Sequence, residues 1–341
     1  MRTLIILALL TFLCTRARAQ VLTVSDELTM RSDTDYDLIG KIGGQVLLMQ
    51  DRDTKHLLTG YDRNMRQSWE KELELRGRNI RLLTSVAKQD GTGFSLLYLY
   101  RKSSRNYLQL DAYNPAGNLV DSTTLVDFGV FSTAPQEGIY RSEDESKLLL
   151  LITEQQSKVR CLGIDMEKLE LTYDMELEPE KFFFNDDFMQ AEIANDGTTY
   201  FVIERDNFKS RRKEHKYEVH TIKPNRQFDK FEVPMGDSLT YDIFFRYDNQ
   251  NGHLTAAGLY TTKNFTRADG YFWINVDPAN PAATQPSFTP FPLTLIRNIE
   301  GKKYNKKNPG IDELSVRNIV LRKDGGGLII TERNRQLERR S

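Results

Sequence analysis

Apolar and polar residues alternate along most of this chain with the period of a β-strand. In Tyr107-Leu108-Gln109-Leu110-Asp111-Ala112-Tyr113 they interleave mainly two by two, which sends successive side chains to opposite faces. Leu148-Leu149-Leu150-Leu151-Ile152 is apolar throughout, the pattern of a strand buried on both faces. Short polar turns separate these stretches. In Asn114-Pro115-Ala116-Gly117-Asn118, proline pre-sets one backbone angle and glycine tolerates positive φ.

The alternation is organised in a repeat near fifty residues. Apolar strands open near Val46, Phe94, Leu148, Tyr200, Leu254 and Leu328, at spacings of 48, 54, 52, 54 and 74. The third unit shows the plan: Gly138 to Arg141, the turn Asp144 to Lys147, then Leu148 to Thr153, Val159 to Asp165 and Leu169 to Leu177. A fixed period of this size marks stacked supersecondary units, and units made of strands point to a β-propeller of four-stranded blades, an all-β fold. The long spacing comes from an insertion at 292–314, in which Leu293 to Ile299 reads as a short helix.

Ala256-Ala257-Gly258-Leu259-Tyr260 followed by Asp269-Gly270-Tyr271-Phe272, and Arg317-Asn318-Ile319-Val320 followed by Asp324-Gly325-Gly326-Gly327-Leu328-Ile329-Ile330-Thr331-Glu332, carry a resemblance. They resemble blades of six-bladed propellers with NHL-like or WD40-like repeats, and more closely exported propeller proteins of Gram-negative bacteria. The resemblance covers about 36–333 and implies a fold; it carries no catalytic residue across. The sixth blade departs from the pattern. Only 13 residues follow Leu328, whereas the third unit runs from Leu148 to Leu177 to complete its strands. Val21 to Met30, within the N-terminal segment 20–35, would supply one closing strand but not two. The expectation is therefore a last blade left incomplete in a shortened version of a longer protein, with a polar tail at 334–341.

The first residues read as an address. Arg2, the apolar run Leu4 to Leu13 and Ala17-Arg18-Ala19 have the layout of a cleaved secretory signal at 1–19, too short to span a bilayer. Cys14 as an acylated lipoprotein cysteine is the weaker reading, because Leu13 stands where a small residue is expected. Removal of the leader leaves Cys161 alone, so the exported chain is expected to hold itself together by buried area and sheet hydrogen bonds. Export implies the periplasm, the cell surface or the medium, and no later stretch is long and apolar enough to be a transmembrane segment. Composition agrees with a core-forming domain, 39% hydrophobic and 28% charged. With 47 Lys and Arg against 48 Asp and Glu, the chain lacks the basic excess of a nucleic-acid-binding protein.

Motifs with chemistry are sparse. His215 and His220 are five apart, which on one strand puts them on opposite faces, and His56 and His253 have no partner at zinc spacing. Asp33, Asp35 and Asp37 begin like an EF-type loop, but Leu38 replaces its glycine and Gly44 its bidentate glutamate, so they read as a polar turn. Asp51-Arg52-Asp53 and Asn185-Asp186-Asp187 are acidic turns without visible partners. Ser142-Glu143-Asp144-Glu145-Ser146 lacks the glycine and aromatic of a sialidase aspartate box and reads as an ordinary blade turn. No nucleophile elbow, phosphate loop or HExxH pair occurs, and no cofactor is indicated.

Binding surfaces are the better candidates. Tyr241, Phe244, Phe245 and Tyr247, with Tyr271, Phe272 and Trp273, concentrate aromatics in the fifth unit, either as inter-blade packing or as faces for sugar or peptide ligands. Lys302, Lys303, Lys306 and Lys307 cluster in the insertion. Asn264-Phe265-Thr266, Asp121-Ser122-Thr123 and Asp237-Ser238-Leu239 are formal glycosylation triplets. The leading expectation is a non-enzymatic exported propeller that presents loops to a protein, peptide or glycan partner. The alternatives are a carbohydrate-active hydrolase or lyase with carboxylates at the channel, or a structural part of an envelope assembly.

Overall fold

A computed structural model describes residues 22–25, 27, 31–52, 54–131, 135–206, 215–236, 238–262, 267–301, 304, 307 and 309–333. The expected leader 1–19, the tail 334–341, Asp53, Asp237, the Asn264-Phe265-Thr266 triplet, Lys302, Lys303 and Lys306 lie outside the described residues. Of the stretch expected to give a closing strand, 22–25 and 27 are described and form no regular element.

The chain is all-β. Each unit of the repeat folds into an antiparallel sheet in which strands follow one another in order. The first sheet is β1 (Asp35–Ile42), β2 (Gln45–Arg52), β3 (Lys55–Tyr61) and β4 (Gln67–Glu72). The second is β5 (Arg78–Ala87), β6 (Phe94–Lys102), β7 (Arg105–Tyr113) and β8 (Leu119–Gly129). The third is β9 (Gln136–Arg141), β10 (Lys147–Gln155), β11 (Lys158–Asp165) and β12 (Glu170–Leu177). The fourth is β13 (Phe188–Ile193), β14 (Thr199–Arg205), β15 (Lys216–Ile222) and β16 (Phe228–Pro234). The fifth holds β17 (Leu239–Asp248) and β18 (His253–Thr261), then β20 (Gly270–Val276) and β21 (Ser287–Pro290), with β19 (Arg267–Ala268) split off to pair with β22 (Ile311–Asp312). The sixth, among the described residues, is the pair β23 (Leu314–Leu321) and β24 (Gly327–Arg333).

Five apolar clusters join the six sheets in sequence order, and this explains the residue patterns. Leu148, Leu150 and Ile152 pack toward the second sheet against Leu97, Leu108 and Leu110. Leu149 and Leu151, on the other face of β10, pack toward the fourth against Phe201 and Ile203. A strand between two sheets has no solvent face, so its sequence loses the alternation. Equivalent clusters join the first sheet to the second, the fourth to the fifth and the fifth to the sixth.

The leading strands of every unit but the third are irregular against the strand that follows. β1, β5, β13, β17 and β23 each shift register against the next strand, between Leu38 and Gly40, Leu82 and Thr84, Phe188 and Gln190, Tyr241 and Phe244, and Val316 and Asn318. Such bulges bend a strand, tighten its twist and re-aim side chains. At β17 the bulge carries Asp242 at φ +49°, outside the usual range for a non-glycine residue. One expectation is corrected here. Asp35 and Asp37 belong to β1 rather than to a polar turn, because acids two apart have the strand's own period, and Asp37 accepts a hydrogen bond from the Ser85 hydroxyl of β5.

The 292–314 stretch forms a helix, Leu293–Glu300, then β22. Glu300, 3% exposed, ties it down by accepting from the Asp312 amide at 3.0 Å and from the Arg333 guanidinium of β24 at 2.7 Å.

Candidate functional site

The turns that follow the leading strands are laced together. Gln89 Nε2 donates to the Asp144 carbonyl at 2.7 Å, the Asp144 amide to Asn195 Oδ1 at 3.1 Å, and the Asn195 amide to Asn249 Oδ1 at 2.8 Å. One polar residue per repeat thus clasps the next turn, from the second sheet to the fifth. Ser142-Glu143-Asp144-Glu145-Ser146 forms a tight turn between β9 and β10, with Asp144 Oδ1 accepting from the Ser142 hydroxyl at 2.7 Å and the Ser146 amide at 3.0 Å.

Beside this clasp lies a hollow of about 780 Å³, lined by β9, β13, β17 and β23 and by their turns. Its charged residues are Arg141, Glu143, Glu192, Arg246, Asp248, Arg322 and Lys323. Between β13 and β17 the wall is closed by side chains in place of a sheet ladder. Gln190 Nε2 donates to the Phe245 carbonyl at 2.9 Å and to Glu192 Oε1 at 2.6 Å, while Gln190 Oε1 accepts the Phe245 amide at 2.9 Å. Arg246 donates to Glu192 Oε1 at 2.7 Å. Burial raises the Glu192 carboxyl above its ordinary range, and the Arg246 guanidinium offsets part of that rise. Tyr140, on the adjoining β9, has its hydroxyl pushed up to about 12 by burial.

The other carboxylates are occupied too. Glu143 accepts from Asn249 Nδ2 at 2.9 Å. Asp248 caps its own turn, accepting the Gln250 and Asn251 amides at 3.0 Å each. Arg141 donates to the Thr84 hydroxyl, and Arg322 pairs with Asp324 at 2.6 Å. The hollow therefore presents a fixed array of donors and acceptors of both signs.

Of the aromatics singled out in the sequence, Phe244 and Tyr247 line this hollow. Tyr247 also stacks on Tyr200, ring centroids 5.0 Å apart, between the fourth and fifth sheets. Tyr241 and Tyr271 pack in the cluster that joins the fifth and sixth sheets, and Trp273 lies against Gly327 of β24. Phe245 and Phe272 are fully buried in the core. Lys307 is exposed in the insertion. Three of the four histidines are buried: His56 bonds Asp51 at 2.7 Å, His220 bonds Glu218 at 2.6 Å, and His215 bonds the Ser238 carbonyl at 3.0 Å, while His253 is half-buried at the start of β18. Asp33 is held by Arg31 at 2.9 Å, and Asp187 accepts the Phe183 amide at 2.8 Å beside Arg205.

Sequence reasoning missed Arg141, Glu143, Gln190, Glu192, Arg246, Asn249, Arg322 and Lys323. A signal existed in the register: Arg141 and Glu192 are the strand partners of Leu148 and Tyr200, the residues that open their repeats.

No protein-family model matches the chain, and no curated protein matches it in sequence. Among solved structures, it is similar to an oligogalacturonate lyase in complex with manganese, with 11% identity over 86% of this chain and 70% of that one and a TM-score of 0.44. An oligogalacturonate lyase from Vibrio parahaemolyticus gives 10% over 87% and 71%, TM-score 0.43. A putative dipeptidyl aminopeptidase IV from Bacteroides ovatus gives 12% over 86% and 42%, TM-score 0.45. These are loose likenesses, and the chemistry of this chain is read from its own residues.

Proposed function

We propose that this chain is an exported, non-enzymatic binding protein, its sheets set as propeller blades about the hollow, which takes a peptide or glycan segment of a partner. Six units in sequence order support the blade reading, the sixth reduced to β23 and β24 among the described residues. The observation that carries the binding reading is the occupancy of Glu143, Glu192 and Asp248, each held by donors of the protein itself. General acid and base work needs carboxylates open to substrate. Here they pin neighbouring groups, and the lining is preorganised for recognition. Calorimetric titration of the protein against glycan and peptide panels, run beside an activity screen on the same compounds, tests this. Saturable binding without turnover, weakened by Arg246→Ala, is expected; turnover of a bound glycan would overturn it.

One observation favours the second reading, a carbohydrate-active hydrolase or lyase. A buried carboxyl with a raised pKa in an open hollow is how a general acid is made, and Glu192 fits that description. On that reading Glu192→Gln abolishes turnover while leaving ligand affinity within about threefold of wild type.

A further inference from the structure

A second hollow, of about 680 Å³, lies at the opposite end of the sheets from the clasped turns. Its lining is Arg76, Gly77, Arg78, Tyr100, Arg101, Lys102 and Ser103. These come from two stretches: the connection that leads into β5, and the tip of the β6–β7 hairpin. Four cations line it and no acid does. The next cations along the chain are already engaged, Arg81 with Glu137 and Arg105 with Asp127 at 2.9 Å. Among the described residues, Arg76, Arg78, Arg101 and Lys102 have no ion-pair partner, and all four are exposed.

The backbone beneath these charges is fixed. The Arg76 amide donates to the Tyr98 hydroxyl at 3.2 Å, and that hydroxyl donates to the buried Asp111 at 2.8 Å. Gly77, at φ +84°, lies flat on the Tyr100 ring; a Cβ there would fall 2.2 Å from Tyr100 Cδ2. Tyr100 is itself held by stacking on Tyr107, ring centroids 5.1 Å apart. At the hairpin tip Ser103 and Ser104 both take positive φ, +50° and +66°, a two-residue turn that favours Asn-Gly and costs energy with serine. Like charges held together at a strained turn, without counter-charges, are an arrangement that an anionic ligand would relieve.

We propose that this hollow binds a small polyanion bearing clustered phosphate or sulfate monoester groups. Guanidinium groups grip such oxyanions through paired N–H donors, and three arginines with one lysine match several charges on one small molecule. A single carboxylate would leave most of the cations uncompensated. The volume lies in the range of small-molecule sites. With a formal net charge of −1 over the chain, the attraction is local to this hollow and is not a general affinity for polyanions.

The test is calorimetric titration of the whole chain at fixed ionic strength with tripolyphosphate and, separately, a heparin-derived tetrasaccharide. The arm that binds more tightly identifies a phosphorylated compound or a sulfated glycan as the source. Arg76→Gln with Arg101→Gln is expected to weaken that arm by about 10-fold or more. Gly77→Ala, which changes no charge but displaces the Arg76 and Arg78 backbone, is expected to weaken it several-fold. Arg63→Gln, an exposed cation in the β3–β4 turn, is expected to leave it unchanged. Far-UV circular dichroism identical to wild type shows that each variant is folded. Binding by neither probe, an equal loss in Arg63→Gln, normal binding by Gly77→Ala, or equally tight binding of a DNA duplex would overturn the site.

Discussion

The third and sixth sheets start alike and end differently. In both, a leading strand turns through a polar loop into an apolar strand, β10 in one and β24 in the other. β10 has β9 on one side and β11 and β12 on the other, with a sheet against each face, and Leu148 to Ile152 are all buried. β24 pairs with β23 alone among the described residues, and Leu328 and Ile330 remain 58% and 47% exposed. The same kind of sequence is therefore core in one place and surface in the other. What separates them, among the described residues, is the outer pair of strands and a sheet packed against each face, since strand burial is decided by what covers the strand and not by its own hydrophobicity.

The largest test of that contrast is a matched pair of truncations. Leu150→Ala is expected to cost about 3 kcal/mol through lost burial and a cavity, and Leu328→Ala within about 0.5 kcal/mol, measured as midpoint shifts in urea unfolding. Equal costs would mean that the sixth sheet is covered as well as the third. The joint between the fifth and sixth sheets is next. A Cβ on Gly327 would fall 2.1 Å from the Trp273 ring, so Gly327→Ala should cost about 1–2 kcal/mol and shift tryptophan emission to the red as the ring is displaced toward water. Unchanged emission would show that the joint absorbs the methyl without moving.

The clasp is worth less. Asn249→Ala removes one bond from the Asn195 amide and one to Glu143, and should lower stability by about 1 kcal/mol while speeding exchange of the Asn195 amide hydrogen. The smallest expected effect concerns acid. Burial depresses the His220 pKa below its ordinary 6.5, so the stability it supports is present above 6.5 and is lost as pH falls through that value toward the folded pKa. Urea midpoints followed from pH 7.5 to 5 should fall less steeply in His220→Gln. A slope identical to wild type would place the acid sensitivity elsewhere.

The strands were legible in the sequence because burial on two faces leaves continuous apolar runs, as in Leu148 to Ile152, and turns carry their own chemistry, as in Asn114 to Asn118. The leading strands were less so. They mix Arg141, Gln190, Glu192 and Arg246 with apolar residues, and their bulges break the period of two at Phe188 to Gln190 and Tyr241 to Phe244. The hollow they line was illegible for the same reason. Its charges stand about a repeat apart in the chain and meet only because successive sheets pack side by side. Asp35 and Asp37 show the converse error, in which a strand's own period was read as a turn. The aromatics of the fifth unit do not divide cleanly: Phe244 and Tyr247 line the hollow, and Phe244 also packs with Tyr241 and Tyr271 in the cluster that joins the fifth and sixth sheets.

Cys161 sits on β11 facing the fourth sheet, wholly buried beside Tyr173 and Phe201, and burial raises its thiol well above the ordinary range. A thiol-labelling reagent needs both access and a thiolate, and the packed sheet grants neither. The rate at which this sulfur is modified is therefore a stopwatch for the parting of the third and fourth sheets, running inside the molecule without any engineered probe.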